Sequence, residues 1–472
     1  MDFLLIVGLI AAGVWTVAFG LRAPLMVACL VFLLLTVCFG YEYLHFDFGP
    51  LPLTLDRLWI AVLLVTFFVQ RKLGRTDPKP LAWVEIVLLS FLALATVSTF
   101  VAGATDESKM AGSPLWRLVV AYLFPAVLYF VARQSALTES RIVVLHGFLA
   151  AFGVYLGFTG VAEMTGQWSL VFPQYIADPK IGLHFGRARG PMVQSVSYGL
   201  YLGICAVAML LWIQRFKRRG KVVGGLLALL PLAAAALTLT RSVWLGTGLA
   251  LLIYAAMVLE KRARKFVLFS AIAAASIVVA VKFDRLAAFE REGTAADTRS
   301  SAESRGSFAY VSWRMFQDRP LLGFGFGQFP EAKLPYLADR TTSLNLELIR
   351  PLAHHNTYLC LLVELGIVGL VLFLVIIGLW VKYAWTLARG HRRPAWVRAH
   401  GVLVLCAIAT YGVQMLFHDV SFTSIDNSII FLLAGAAVGL SYSGTETRHM
   451  GSRCGADRRA CAGAVIEPAK TV

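Results

Sequence analysis

A histidine, an asparagine and two glycines stand at a spacing that suits proton-transfer chemistry. His355 and Asn356 are followed by nine residues, Gly366, two more residues and Gly369. An imidazole can be neutral near pH 7 and accept a proton from a hydroxyl group, which is what a general base does. We expect Asn356 to orient that imidazole or a bound acceptor by hydrogen bonding. Gly366 and Gly369, three apart on one helix face, would let a neighbouring helix approach closely.

Two alternatives to a catalytic His355 remain open. His354 is the rival within the pair, although only His355 has the stated spacing to the two glycines. His355 could also be an interfacial histidine without a chemical role.

Arg241 is the second informative residue, because it separates two apolar runs, 222–240 and 242–259, with almost no loop. A lone cation at such a place is costly and needs a partner or an anionic ligand. A guanidinium group is suited to grip phosphate oxygens bidentately, so Arg241 would suit a ligand that carries a phosphate group. The alternative is that the side chain extends to lipid headgroups.

Further arginines stand in polar stretches and could join Arg241. Arg187 and Arg189 precede the apolar run 193–214, and the choice between them stays open with a slight preference for Arg189, next to Gly190 and Pro191. Arg314 and Arg350 lie in a longer polar stretch and could equally be surface charges. Together these side chains would form an electropositive pocket that stabilises a negatively charged leaving group.

The elements that must position these residues are membrane helices. The chain has 472 residues, 58% of them hydrophobic and 15% charged, which is a bilayer-spanning composition. We therefore predict an all-α polytopic membrane protein with thirteen spans, or twelve if the first two form a shallow hairpin. The apolar runs are 3–20, 24–40, 51–70, 81–102, 115–132, 142–165, 193–214, 222–240, 242–259, 265–283, 357–387, 398–417 and 428–443.

The distribution of positive charge predicts the topology. The net charge of +16 comes from Lys and Arg clustered in the connections 71–79, 215–221, 261–265 and 389–398. Such clusters mark the cytoplasmic side and tell against nucleic acid as the partner. Alternation then places outside the loops 41–50, 103–114, 166–190, the turn at Arg241, 284–356 and 418–427.

The chain accordingly divides into five parts. These are N-terminal transmembrane helices in 1–165, central transmembrane helices in 166–283 with the outer loop 166–190, the large outer loop 284–356, C-terminal transmembrane helices in 357–443, and a cytoplasmic tail in 444–472. Within the large loop, 290–306 is polar and predicted mobile, 307–319 has helical spacing, and 320–330 is a glycine-rich turn. We expect a small helical cap over the outer face.

Several motifs are absent from the sequence. No Asp-x-Asp pair occurs in an outer loop, which disfavours a metal-dependent transferase that uses nucleotide sugars. No Walker motif is present, and the glycines at 323–327 do not follow a strand. We therefore expect no metal and no cofactor.

The His-Asn-x9-Gly-x-x-Gly pattern resembles the signature of the O-antigen ligase and polymerase family. Three further features are similar to that family: the turn 320–325, the segment Glu364-Leu-Gly366, and Thr240-Arg241-Ser242 at a helix junction. The resemblance covers about residues 180–440, and the first 150 residues match in hydropathy alone. It implies His355 as the catalytic base and Arg241 with Arg189 or Arg187 as donor ligands, the last two matching the family's upstream arginine.

The resemblance implies a glycosyltransferase of the bacterial inner membrane, whose outer loops face the periplasm. Its donor would be an undecaprenyl diphosphate-linked glycan and its acceptor lipid A-core, with membrane lipids around it. Polymerisation onto a growing polysaccharide is the alternative. A transporter of lipid-linked sugars, a different class, predicts charges near the bilayer midplane and often repeated halves. The midspan segments here are nearly free of charge, which favours an enzyme.

Overall fold

The computed structural model describes residues 22–48, 51–103, 113–265, 269, 295–352, 354–420 and 423–442. The expected span 3–20, most of the expected span 265–283 and the tail 444–472 lie outside the described residues.

The described residues form helices almost throughout, with one small antiparallel sheet. The helices are α1 (Leu25–Cys38), α2 (Leu55–Lys72), α3 (Trp83–Val101), α4 (Pro114–Gln134, with a π-helical segment Val119–Leu123), α5 (Glu139–Met164), α6 (Ser195–Trp212), α7 (Arg218–Leu237), α8 (Arg241–Val258), α9 (Ala295–Asp318), a single turn Phe329–Ala332, α10 (Thr357–Arg389), α11 (Ala395–Phe417) and α12 (Ser424–Tyr442). The strands are β1 (His45–Phe48) and β2 (Leu51–Thr54), and they pair with each other.

The prediction of an all-α polytopic membrane protein is confirmed. Among the described residues, nine helices are long and apolar enough to cross a bilayer, namely α3 to α8 and α10 to α12. Each corresponds to one of the apolar runs read from the sequence, because local hydropathy is enough to identify a spanning helix.

Two of the predicted spans differ from the prediction. The run 24–40 forms α1, which has 14 residues and is shorter than the ~20 residues that a perpendicular crossing needs. The run 51–70 begins as strand β2, and its helix starts only at Leu55. The charged residues Asp56, Arg71 and Lys72 lie near the ends of α2, so its apolar middle is short.

Helix α6 is the most enclosed of the nine candidate spans among the described residues, since 89% of its most apolar stretch is buried inside the protein. It packs against α5, α7, α8 and α11. On another side of the bundle, α12 lies directly against α4. A Cβ on Gly435 would come within 2.3 Å of the Tyr129 carbonyl oxygen, and one on Gly439 would lie 2.8 Å from the Arg133 carbonyl oxygen. These two glycines allow the close approach of the two helices.

The large loop has a hydrophobic core of its own. Phe308, Val311 and Met315 of α9 pack with Phe329 and with Val363 of α10. The predicted helix over 307–319 exists, but it begins at Ala295, so the part of 290–306 from that residue onward is helical. Alanine, arginine and glutamate in this stretch favour a helix, whereas its polarity alone had suggested a mobile segment.

Several helix ends meet on one side of the bundle. The Thr240 hydroxyl before α8 donates to the Ser195 hydroxyl at the start of α6, at 3.2 Å. The Thr357 hydroxyl at the start of α10 donates to the His418 carbonyl after α11, at 3.0 Å. This group of helix ends lies under the large loop and contains His355.

Candidate active site

His354 is a structural residue that fastens the loop to α10. Its side chain is 2% exposed and lies between the rings of Phe308 and Phe329. Its Nδ1 accepts the backbone N–H of Asn356 at 3.0 Å, so Nε2 carries the proton and donates to the Ser312 hydroxyl at 2.8 Å. Both ring nitrogens are therefore occupied within the protein.

Asn356 caps α10 and joins it to the end of α11. Its Oδ1 accepts the backbone N–H of Leu359 at 2.9 Å, and its Nδ2 donates to the Leu416 carbonyl at 2.8 Å. The first contact satisfies one of the amide groups that a helix start leaves unpaired. The second places the segment that carries His355 beside the segment that carries His418.

His355 is half-buried between α9 and the end of α11. Its ring meets the Phe308 ring edge to face, with 5.1 Å between centroids. Desolvation lowers the pKa of His355, the charge of Arg305 lowers it further, and the nearby Asp419 carboxylate opposes the shift. The neutral form is therefore favoured at pH 7, which is the form that accepts a proton.

Two more imidazoles are linked by hydrogen bonds to the residues on either side of Arg241, one directly and the other through Ser195. On one side, Thr240 donates to Ser195, whose hydroxyl lies 3.0 Å from His184 Nδ1. On the other side, the Ser242 hydroxyl lies 3.0 Å from His418 Nε2. The turn that presents the exposed Arg241 side chain is thus held from both ends by side chains of other elements.

These imidazoles lie close enough to one another and to Arg187 for their charges to interact. Desolvation and the charges of Arg187 and His355 lower the pKa of His184 to about 4, although part of the residue is exposed. The pKa of His418 falls to about 3, first through desolvation and then through His355 and His184. A region in which neighbouring positive charges depress the pKa of every imidazole is one that favours a bound anion.

The geometry favours Arg187 over Arg189 as a ligand for a substrate. Arg189 is fully buried, and its guanidinium donates to the carbonyl oxygens of Ile176, Ile181 and Asp178. Its Nε lies 3.5 Å from the Glu163 carboxylate. Arg187 is half-buried and lies close enough to His184 and His418 to lower the pKa of both.

Arg314 and Arg350 are exposed side chains of the large loop. The Nε of Arg314 is 3.9 Å from the Asp339 carboxylate. Arg350 forms a two-point ion pair with Glu347, at 2.6 and 3.1 Å. Both residues lie in the same loop as His355, and each has a carboxylate of that loop as a partner.

Lys333 supports the segment just before His354. Its side chain is buried, and its ammonium group donates to the carbonyl oxygens of Ile349 and Leu352 at 2.7 and 2.5 Å. Desolvation lowers the pKa of Lys333 to about 8. The ammonium group thus stabilises the backbone turn that leads into the histidine pair.

Gly366 allows α10 to bend, and the bend receives the glycine-rich turn of the loop. Gly366 has φ 66° and ψ −169° within α10. At the break, the Ile367 N–H donates to the Pro320 carbonyl and the Phe324 N–H donates to the Val363 carbonyl, both at 2.9 Å. The sequence had led us to expect a neighbouring helix at Gly366. The structure places the turn of the large loop there instead. Gly369 instead lies against Leu365 of its own helix.

Arg117 connects this bend to the site. Its guanidinium is buried and lies 2.9 Å from the Glu364 carboxylate and 3.5 Å from the Asp419 carboxylate. It also stacks on the Phe326 ring, 4.9 Å from its centre. Asp419, whose charge acts on His355, is thereby fixed to α4 and α10.

Sequence reasoning missed Arg305 and gave no chemical role to His184 or His418. Arg305, Phe308 and Ser312 are spaced so that they share one face of a helix. That spacing could not be recognised from the sequence, because the helix was predicted to begin only at residue 307. His184 and His418 have no sequence signal, because their proximity to His355 depends on contacts between distant elements. In the described parts of the chain, no three His, Cys, Asp or Glu side chains are grouped in a way that could hold a metal ion.

Comparison with known proteins gives one finding. Residues 226–374, about a third of the chain, match the family model described as O-antigen ligase. The match runs from α7 to the middle of α10 and includes Arg241, Arg305, His355 and Gly366. A search of curated proteins gives no match. This match confirms the resemblance to the O-antigen ligase and polymerase family that was read from the sequence.

Proposed function

We propose that the protein transfers a glycan from undecaprenyl diphosphate to an acceptor hydroxyl on the periplasmic face of the bacterial inner membrane, without a metal ion. The favoured reaction is ligation of O-antigen to lipid A-core. The family match supports a glycan ligase or polymerase kind of enzyme. Lys and Arg clusters in the opposite loops support the orientation.

One observation carries this proposal: at the ends of membrane helices, His355 lies beside Arg305, which lowers its pKa, and close to His184 and His418, whose hydrogen bonds lead to the turn at Arg241. The donor's diphosphate would sit at this depth, because its polyprenyl chain lies in the bilayer. Arg241 and Arg187 would bind the phosphate oxygens there. Arg189 would act indirectly, by holding the segment that carries Arg187 and His184.

The chemical step follows from these positions. The acceptor hydroxyl oxygen attacks the anomeric carbon, and its proton passes to His355. The bond from that carbon to the diphosphate oxygen breaks, and its electron pair stays with the diphosphate, whose charge the arginines stabilise. A single in-line displacement of this kind inverts the anomeric configuration.

Polymerisation of lipid-linked repeat units would use the same groups with a different acceptor. The test is transfer by the purified chain in detergent, with chelator present, from an undecaprenyl diphosphate-linked glycan to lipid A-core. The variants are His355→Ala and Arg241→Ala. Arg215→Ala is the control, since its exposed ion pair with Glu139 lies at the opposite end of α6.

Ligation would be supported if wild type and Arg215→Ala transfer glycan to lipid A-core and both His355→Ala and Arg241→Ala do not. Longer lipid-linked chains with unmodified lipid A-core would support polymerisation instead. Full activity of His355→Ala would refute the proposed mechanism, and loss of wild-type activity with chelator would refute its independence of metal.

A further inference from the structure

The connection between α5 and α6 presents two aromatic rings beside His184. The rings of Trp168 and Phe185 are nearly parallel, with 10° between their planes and 5.9 Å between their centroids. This is the offset arrangement that two aromatic rings favour. Phe185 follows His184 directly in the chain and is 45% exposed, so a ligand can reach much of its ring.

Buried groups hold both rings in place. The guanidinium carbon of Arg189 lies 4.7 Å from the centre of the Phe185 ring, and carbonyl oxygens fix that guanidinium in turn. Trp168 packs against the buried side chains of Val171 and Ile176. Since the rings are already ordered, a ligand that binds to them costs little side-chain freedom.

His184 adds a polar group at the edge of this aromatic pair. Its φ is 63°, a conformation that is uncommon for residues other than glycine. Two backbone hydrogen bonds hold it there, from the Leu183 N–H to the Val193 carbonyl at 2.8 Å and from the Arg187 N–H to the His184 carbonyl at 3.2 Å. Its Nδ1 lies 3.0 Å from the Ser195 hydroxyl. Nε2, on the other side of the ring, can therefore hydrogen-bond a hydroxyl group of a ligand.

An aromatic face next to a polar group suits a sugar ring. One face of a pyranose carries C–H groups, which are attracted weakly to the partly negative face of an aromatic ring. The hydroxyl groups stand around the edge of the sugar and can reach the imidazole of His184. A hydrocarbon chain would make no use of the imidazole, and a phosphate group has no C–H face for Phe185.

The position of the aromatic pair favours the donor as the source of the sugar. Arg187, which would bind the diphosphate, comes two residues after Phe185. In a diphosphate-linked glycan the first sugar is bonded directly to the diphosphate, so a sugar at Phe185 would lie close to that end of the glycan. His184 is also close enough to His355 for their charges to interact.

We propose that Phe185, Trp168 and His184 bind a sugar ring of the donor glycan beside its diphosphate. The inference rests on the proposed function and deepens it by assigning a place to the sugar. Contact with the aromatic pair orients the glycan, so that its anomeric carbon is presented to the acceptor hydroxyl before transfer.

The experiment compares Phe185→Ala, Phe185→Leu and Phe185→Tyr with wild type, as the full chain in detergent. Phe172→Ala is the matched control, because Phe172 is an aromatic residue of the same connection, 50% exposed, whose ring lies near Phe39. Two affinities are measured, namely that for undecaprenyl diphosphate carrying the glycan and that for undecaprenyl diphosphate without it. The KM for the acceptor and the melting temperature are recorded for each variant.

We expect Phe185→Ala to weaken binding of the glycan-carrying donor by about fivefold or more, the size of one lost aromatic contact. Binding of undecaprenyl diphosphate without glycan should stay unchanged. Phe185→Leu should behave like Phe185→Ala, because leucine is apolar but has no flat ring, whereas Phe185→Tyr should bind like wild type. Phe172→Ala should also match wild type.

Unchanged binding of the glycan-carrying donor in Phe185→Ala would overturn this inference and leave the proposed function intact. An equal loss for both forms of the donor, or the same loss in Phe172→Ala, would also overturn it and indicate contact with the polyprenyl chain or with membrane lipid. A higher acceptor KM with unchanged donor binding would place the acceptor there instead. A wild-type chain that binds neither form of the donor would overturn the proposed function as well.

Discussion

A Cβ atom on Gly366 would lie 2.2 Å from the carbonyl oxygen of Leu321. The bend of α10 and the glycine-rich turn of the loop therefore fit together only when residue 366 has no side chain. Glu364, two residues before the bend, is ion-paired with Arg117, which also reaches Asp419. The packing of the loop is in this way connected to the carboxylate that acts on His355.

Gly366→Ala should destabilise the protein and reduce transfer. The residue has a positive φ and meets backbone atoms, so strain of ~1–3 kcal/mol adds to the cost of overpacking. The measurement is thermal unfolding in detergent together with transfer activity. Gly378→Ala is the matched control, because it lies on the same helix with no atom within 4 Å of the added Cβ. Equal melting temperatures of Gly366→Ala and Gly378→Ala would contradict the packing of the loop against the bend of α10.

The two adjacent histidines should separate into a chemical and a structural residue. His355→Ala should lower the rate of transfer by ~10²–10⁴, the usual contribution of a general base, with little change in melting temperature. His354→Ala should lower the melting temperature, since it empties a buried site and breaks hydrogen bonds to Ser312 and Asn356. Activity per folded molecule separates the two effects. The assignment fails if His354→Ala stays as stable as wild type and His355→Ala stays fully active.

The dependence of kcat/KM on pH should show where His355 titrates. A general base must be neutral, and the pKa of His355 lies below its ordinary value through desolvation and Arg305. Activity should therefore persist below pH ~6.5, the value of an unperturbed histidine, and fall as His355 becomes protonated. Arg305→Gln removes a positive charge that lowers this pKa, so the acid limb should move to higher pH.

Asp419→Asn should move that limb the other way, to lower pH, because the carboxylate raises the pKa of His355. Identical acid limbs in wild type, Arg305→Gln and Asp419→Asn would show that His355 is not the group that titrates.

Arg187 and Arg189 should respond differently to substitution. Arg189→Ala removes a buried cation that holds three carbonyl oxygens and lies beside Glu163, and breaking such a group costs ~3–5 kcal/mol. Arg187→Ala should leave the melting temperature unchanged and raise the donor KM. Thermal unfolding and donor titrations measure both effects. A stable Arg189→Ala with weakened donor binding, beside a normal Arg187→Ala, would reverse the roles assigned here.

The sequence determined the class of the protein and the position of its most informative motif. Hydropathy is a local property, so the apolar runs gave nine of the membrane helices directly. The spacing of His355, Gly366 and Gly369 led to the family that the match over 226–374 confirms. The turn at Arg241 was also visible, because a charge between two apolar runs is unusual.

The tertiary structure decided which residues near that motif share its space. Arg189 and Arg187 are two positions apart, yet one is enclosed by carbonyl oxygens and the other lies beside the imidazoles. Gly366 accommodates a turn some forty residues earlier in the chain. Arg305, His184 and His418 come close enough to His355 for their charges to interact only through the packing of distant elements. Such contacts depend on how helices are arranged in space, and no local pattern of residue types encodes that arrangement.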